Sequence, residues 1–339
     1  MKKKIIYIDN FLSKHGFAPT IAEVLVKQLR NEGYEIITTS EVKSKLPRLL
    51  DMFATIWKHR KNSIALIATY STNAFYFACA CAAFCRKLNI PYIPCLHGGN
   101  LPKRIKNSPA LAKKIFGKAY TNVAVSGYLQ KAMKENNWAS IVIPNPVNIE
   151  LYPFKERITC SPRMLWVRSF HKLYKPTLAL DILSKLLLTH KDASLMMIGP
   201  DKDGSYNTCL QLAKEMGIEN NVGFKGFVTK EEWIKISAGY DFFINTTNFD
   251  NLPVSVIEAM ALGMVVVSTN VGGLPFLINN NDNGLLLPPD DATAFVNAID
   301  IVLKDNRLAN KLSNGARQSA LQYGWSNVRV LWNELLQNM

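Results

Sequence analysis

The sequence predicts an α/β protein made of two doubly wound, parallel-sheet domains that face each other across a cleft. Three observations carry this. Short apolar runs alternate with amphipathic segments through both halves of the chain, the pattern of repeated βα units. Four prolines fall between Pro144 and Pro162 and interrupt that rhythm once, as a linker does. A chain of 339 residues is long enough to bury a core on each side of the break. The expected division is 1–150 and 151–322, with a final helix over 323–339.

In the first half, strands are predicted at 4–8, 34–39, 64–69, 90–96 and 121–126, with helices at 20–32 and 73–88. Gly33 closes the first helix as a C-cap. The second half resumes with strands at 164–167, 194–198 and 222–227 and helices at 176–188, 208–216 and 231–238. A further helix is predicted over 325–336. Neither half carries G-x-G-x-x-G after its first strand, so these Rossmann-like halves lack the dinucleotide fingerprint. Walker A, H-E-x-x-H and G-x-S-x-G sequences are also absent. Asp201 and Asp203 form a D-x-D in a Gly/Asp turn, where turn chemistry is the favoured reading over metal binding.

The richest stretch runs from 241 to 273. Asp241–Asn245 (DFFIN) reads as a buried strand, Thr246–Asn251 as a polar turn, and Pro253–Leu262 as a helix stopped by Gly263. Met264–Thr269 is a second buried strand, ended by Gly272 and Gly273. A helix that starts at the carboxyl end of a parallel strand offers its amides and dipole to an anion such as phosphate. Apart from Ser255 and Glu258, the helix is apolar all round from Val254 to Leu262, so it is predicted to be buried. A carboxylate there needs donors. A sugar diol would supply them, and so would an internal amide or arginine; the residues alone leave both readings open.

Asp250 and Glu258 enclose seven residues, and Ala-Met-Ala-x-Gly follows. This frame resembles the signature of retaining glycosyltransferases of family four (glycosyl transferases group 1), which have the GT-B fold. The family's usual first acid is Glu, whereas this chain has Asp250. The resemblance implies that Glu258 binds the ribose of a nucleotide-sugar donor and that Asp250 touches the transferred sugar. It implies further that Arg168 and Lys175, in LWVRSFHKLYKP, hold the diphosphate, with Lys172 as a rival. The chemistry agrees, since a leaving diphosphate needs cationic donors. His97, which opens HGGN at a strand end, matches a family histidine near the sugar. The loop after the first strand, with Gly16 where the family commonly has two glycines, matches the segment under the donor phosphates. Gly226-Phe227-Val228 matches the base-binding segment, which makes Phe227 and Val228 donor-binding candidates. Asn251, Leu252, Val254 and Ser255 bring the helix start to the donor.

The net charge of +14 is unevenly placed. Residues 1–150 hold 22 Lys and Arg against 8 Asp and Glu, and residues 151–339 hold 18 of each. The first half therefore predicts an anionic partner: a membrane surface, a phosphorylated acceptor or a nucleic acid. Two basic segments carry apolar residues. One spans 43–61 with Leu49, Leu50, Phe53, Ile56 and Trp57 at helical spacing; the other spans 103–118 with Leu111, Ile115 and Phe116. Packing on the sheet and docking on an anionic membrane are both open for them. Aromatic–basic interleaving is thin, so nucleic acid is not the expected partner. Six scattered cysteines without C-x2-C spacing suit reduced thiols in a cytoplasm. No run reads as a signal peptide or a membrane span.

The reading is a retaining, metal-independent, hexosyltransferase-type enzyme that needs no cofactor. It would move a sugar from a nucleotide diphosphate donor to a glycan or lipid-linked acceptor, in the setting of bacterial surface polysaccharide synthesis. Its expected place is the cytoplasm, peripheral to the inner face of the membrane. The rivals are another GT-B enzyme, such as a nucleotide-sugar epimerase, and a basic anion- or nucleic-acid-binding module.

Overall fold

The computed structural model describes residues 3–15 and 20–339 and divides the chain into two units. One comprises 1–146 together with 326–339; the other comprises 147–325.

The first unit is a six-stranded parallel sheet flanked by helices. Its elements are β1 (Lys4–Ile8), α1 (Ile21–Asn31), β2 (Ile36–Thr39), α2 (Lys45–Lys58), β3 (Ser63–Thr69) and α3 (Ala74–Lys87). They continue with β4 (Tyr92–Leu96), α4 (Leu101–Asn107), α5 (Pro109–Phe116), β5 (Asn122–Ala124), α6 (Gly127–Lys134) and β6 (Ser140–Val142). The strand order is β2-β1-β3-β4-β5-β6, so the winding reverses between β1 and β3. Every residue of β3 and β4 is buried, as strands covered on both faces must be. Inward side chains of α2 to α6 gather on one side of the sheet around Ile6, Ile67 and Leu96.

The second unit holds β7 (Arg163–Val167), α7 (Pro176–Leu186), β8 (Ser194–Ile198), α8 (Ser205–Glu215), β9 (Val222–Lys225) and α9 (Lys230–Ser237). Next come β10 (Phe242–Asn245), α10 (Val254–Ala261), β11 (Val265–Thr269), β12 (Leu285–Leu287), α11 (Ala292–Lys304) and α12 (Asn306–Leu321). Its order, β12-β11-β10-β7-β8-β9, reverses between β7 and β10. Such reversal points open a crevice beyond the carboxyl ends of the two strands, and ligands bind there in open α/β sheets.

The last helix, α13 (Trp325–Gln337), groups with the first unit from residue 326 on. Tyr34 donates to Asn333 Oδ1 at 2.7 Å, and Val328 and Trp332 are buried. Both unit boundaries differ from the sequence expectation. The stretch expected to be a linker up to Pro162 is free of the second core only as far as Pro146. Val147, Ile149 and Tyr152 are buried among α10 and α12 residues. Arg157, 2% exposed, donates to the carbonyls of Lys155, Tyr240 and Leu262. These bonds satisfy a cation that would otherwise be desolvated at high cost. Pro253 also differs by one position. It stands as the N-cap of α10 with an extended backbone, and the helix starts at Val254. The short edge strands β6 and β12 and the helices α4, α5, α6, α11 and α12 lie outside the sequence expectation. Among the described residues no helix is long and apolar enough to cross a membrane.

Candidate active site

The second unit encloses a cavity of about 580 Å³ at its reversal point. Its walls come from the ends of β7 and β8, the turns before α9 and α10, and the first turns of those helices. Arg168, Phe227, Val228, Asp250, Leu252, Val254, Ser255 and Glu258, all candidates from sequence, line it. Tyr174, Lys230 and Trp233 line it as well, with no sequence motif that marks them.

Arg168 follows β7 directly. Its guanidinium lies 4.0 Å over the Tyr174 ring and pairs with the Asp250 carboxylate. Its Nε is buried with no partner among the described residues. Asp250 is set by the polar turn after β10. Thr246 accepts from Trp166 Nε1 at 3.0 Å, Thr247 Oγ1 donates to the Phe249 carbonyl at 2.9 Å, and Thr269 Oγ1 donates to the Thr247 carbonyl at 2.6 Å. Asp250 Oδ1 then accepts from the Asn251 amide at 2.7 Å. The turn rests on the glycine pair after β11. A Cβ on Gly273 would lie 1.7 Å from the Asn251 carbonyl oxygen, and Gly272 has φ +56°. Only glycine lets the two backbones approach this closely.

Glu258 lies on α10 between the buried Ile257 and Ala259 and is 4% exposed. Its donors come from the protein. Tyr152 donates to Oε1 at 2.7 Å, and Lys230, at the start of α9, pairs with the same oxygen. Burial and then the Glu258 charge hold the Tyr152 phenol well above its usual range, so it stays a donor. Among the described residues both hydrogen bonds fall on Oε1 and neither on Oε2. No side chain caps α10; the Val256 and Ile257 amides bond the Pro253 carbonyl, which leaves those of Val254 and Ser255, residues that line the cavity, without a backbone acceptor among the described residues. Trp233 Nε1 and Ser255 Oγ are also buried there without a partner among the described residues. A half-apolar cavity with unspent N–H and O–H groups, two cations and two carboxylates suits an anionic, hydroxyl-rich ligand. Phe227, 81% exposed at the rim, offers a ring face to a flat heterocycle.

Two candidates of the second unit stand outside the lining. Lys175 caps α7 with a left-handed backbone (φ 47°), and its ammonium pairs with Asp290. The cation that does line the cavity beside Arg168 is Lys230. A lysine at a helix start after a turn carries no sequence signal that separates it from a solvated one. Asn251 holds the Asp250 turn without lining the cavity. Gly16 lies outside the described residues.

His97 belongs to the first unit, at the end of β4. There the reversal point gathers a second polar cluster. Asp9 directly follows β1, and Tyr70, just after β3, donates to its Oδ2 at 3.1 Å. The Tyr70 and His97 rings stack at 5.2 Å, and His97 Nε2 is buried without a partner among the described residues. Burial pushes the Asp9 carboxyl up to about 6, with the Asn10 amide and Tyr70 pulling partly back. Burial pushes the His97 imidazole down to about 4. A raised carboxyl stabilises the fold below its ordinary range, and that contribution is lost as pH rises through about 6. A depressed imidazole contributes above its ordinary range, and that contribution is lost as pH falls toward about 4. Each amounts to ~3 kcal/mol. The two oppose each other between pH 4 and 6, so Asp9→Asn should make stability fall on acidification, and His97→Gln should make it rise, relative to wild type. Urea unfolding across that range reads both; parallel profiles for all three proteins would mean that neither group titrates with folding.

The D-x-D pair behaves as turn chemistry. Asp201 Oδ1 accepts from the Gly204 amide at 3.1 Å, and Asp203 Oδ2 accepts from the Lys172 amide at 2.9 Å. Among the described residues no three His, Cys, Asp or Glu side chains gather within metal-binding reach.

Two doubly wound parallel domains define the GT-B class, and solved GT-B structures superpose on the whole chain. HepE of Anabaena in complex with UDP matches with a TM-score of 0.76 over 99% of this chain and 100% of its own, at 16% identity. The lipopolysaccharide outer core galactosyltransferase WaaB matches with a TM-score of 0.74 over the same shares, at 17% identity. Residues 148–319, just over half of the chain, match the model of glycosyl transferases group 1, and the chain belongs to that family. N-acetyl-alpha-D-glucosaminyl L-malate synthase of Bacillus anthracis is 27% identical over 47% of this chain and 40% of its own length. D-inositol 3-phosphate glycosyltransferase of Corynebacterium urealyticum is 27% identical over 51% and 42%. The chain thus aligns with about two fifths of the length of these two relatives. An uncharacterized glycosyltransferase of Methanocaldococcus jannaschii aligns over 92% of this chain and 93% of its own length, at 24% identity.

Proposed function

We propose that this chain is a retaining, metal-independent glycosyltransferase of the hexosyl type. It takes a sugar from a nucleotide diphosphate donor to a glycan or lipid-linked acceptor of surface polysaccharide synthesis, at the inner face of the cytoplasmic membrane. The observation that carries the donor half is the cavity between β7 and β10, with Arg168, Lys230, the α10 amides and Glu258 around one space. In this reading the diphosphate sits on Arg168 and the α10 amides, the ribose on Glu258 Oε2, and the base against Phe227 and Val228. Asp250 serves the transferred sugar. Lys175 would assist only after leaving Asp290. As the sugar–phosphate bond breaks, charge grows on the phosphate, and preorganised cations lower the barrier most at that moment. No side chain is assigned as a covalent nucleophile. Following the family resemblance, the leaving phosphate takes the acceptor's proton.

That HepE was solved with UDP supports testing uridine donors first. Thermal unfolding with a panel of UDP-, GDP- and ADP-sugars tests the donor assignment. A donor at about 100 times its Kd adds about 2.7 kcal/mol and should raise the midpoint by several degrees. A panel without any shift removes the donor reading. Activity is expected to persist in EDTA, since Asp201 and Asp203 are spent on backbone amides. Loss in EDTA that Mg²⁺ or Mn²⁺ restores would overturn the metal-free mechanism.

A further inference from the structure

The two basic segments of the first unit, alike in sequence, differ in what they do with their apolar residues. In α5, Ile115 and Phe116 are 1% exposed and belong to the core. In α2 the apolar residues split. Met52 and Ile56 are buried, and Leu49 and Phe53 pack beside them. Leu46, Leu50 and Trp57 are 77%, 67% and 52% exposed. Spacings of four and seven put those three on one stripe of the helix. The apolar arc of α2 is therefore wider than its sheet-facing side requires, and the surplus faces out. One exposed leucine needs no explanation, but three large apolar side chains in line do.

The flanks of the stripe are basic at both ends. Lys43 and Lys45 precede it and Lys58 and Lys61 follow it, all exposed. Arg60 lies 4.1 Å over the Trp57 ring. Arg48 is spent internally, on Asn10 Oδ1 and the carbonyls of Val42 and Lys43. The one acid between 42 and 61, Asp51, accepts from Thr39 Oγ1. On the same side of the sheet, α4, α5 and the turn after α5 add the exposed Lys103, Lys106, Lys113, Lys114 and Lys118.

We infer that the outer stripe of α2, Leu46, Leu50 and Trp57 framed by Lys43, Lys45, Lys58 and Lys61, lies on an anionic lipid bilayer. A bilayer interface takes both halves of this surface: acyl chains receive the leucines, the headgroup layer receives the tryptophan, and lipid phosphates receive the lysines. A phosphodiester backbone would use the lysines and leave the leucines in water, so it fits less of what is exposed. The inference names the surface for the membrane location proposed above and rests on that location alone, not on the transfer chemistry.

Sedimentation of the full chain with phosphatidylcholine vesicles, with and without phosphatidylglycerol, tests it in the absence of any donor. Wild type should pellet with the anionic vesicles and be released as salt rises. Leu46→Ser, Leu50→Ser and Trp57→Ser combined should weaken binding at least about tenfold and keep the wild-type thermal midpoint. Lys43, Lys45, Lys58 and Lys61 all changed to Gln should lose the preference for phosphatidylglycerol. Failure of wild type to pellet at low salt, or undiminished pelleting of the triple serine variant, overturns the inference. RNA binding that displaces the vesicles and survives the serine substitutions overturns it in favour of a nucleic-acid surface. Failure of the transfer reading would appear in the nucleotide-sugar panel and leave vesicle binding unchanged.

Discussion

Arg168→Ala is expected to lower kcat about 100- to 1000-fold, the loss of one preorganised donor to the developing phosphate charge. The side chain meets the requirements of that role. It stands at the reversal point of the sheet, rests on Tyr174, and holds a buried Nε with no partner among the described residues. Truncation also strips Asp250 of its counter-ion, so the double variant with Asp250→Asn separates lost catalysis from an orphaned carboxylate. Lys230→Ala should fall in the same direction. Lys175→Ala should cost less, because its ammonium is engaged with Asp290, and Lys172→Ala should be silent. Steady-state kinetics against donor concentration reads all five variants. An Arg168→Ala enzyme within about threefold of wild-type kcat removes the leaving-group role.

The second large effect is on donor affinity. Glu258→Gln should weaken donor binding roughly 10- to 100-fold, the worth of hydrogen bonds from ribose hydroxyls to a charged acceptor. The fold should survive. A glutamine oxygen still accepts from Tyr152, and Lys230, half exposed, can turn to water. Calorimetric titration with the nucleotide alone isolates the ribose contact from the sugar. Wild-type affinity in the variant would end the ribose assignment, and a variant that fails to fold would make Glu258 a purely structural carboxylate.

The structure also shows that the internal reading of that carboxylate holds, with the ribose contact left to this test. An acid on an all-apolar helix demands donors, and the sequence alone leaves their source open. The protein supplies Tyr152 and Lys230, both on Oε1, on a residue that also lines the cavity. Neither donor is near Glu258 in sequence: Tyr152 is 106 residues away and Lys230 is 28.

What the chain determined by itself is what depends on local pattern. Apolar strands such as β3, β4 and β11, glycines at the stops of α1 and α10 and the βαβ rhythm specify parallel sheets, because such segments are buried on both faces. The acid frame of Asp250 and Glu258 and the arginine after β7 are legible for the same reason, since each sits at a fixed offset from a strand end. Only the tertiary structure decided which distant groups meet there. Strand order brings Arg168 onto Asp250 and Tyr70 onto Asp9, each pair across a reversal point. It also decided which of two look-alike basic segments turns its leucines outward. Helical periodicity shows that a face is apolar, but how much of that face is covered depends on the width of the sheet and the neighbouring helices. A lysine's destination depends on long-range partners in the same way, so Lys230 reaches the cavity and Lys175 turns to Asp290.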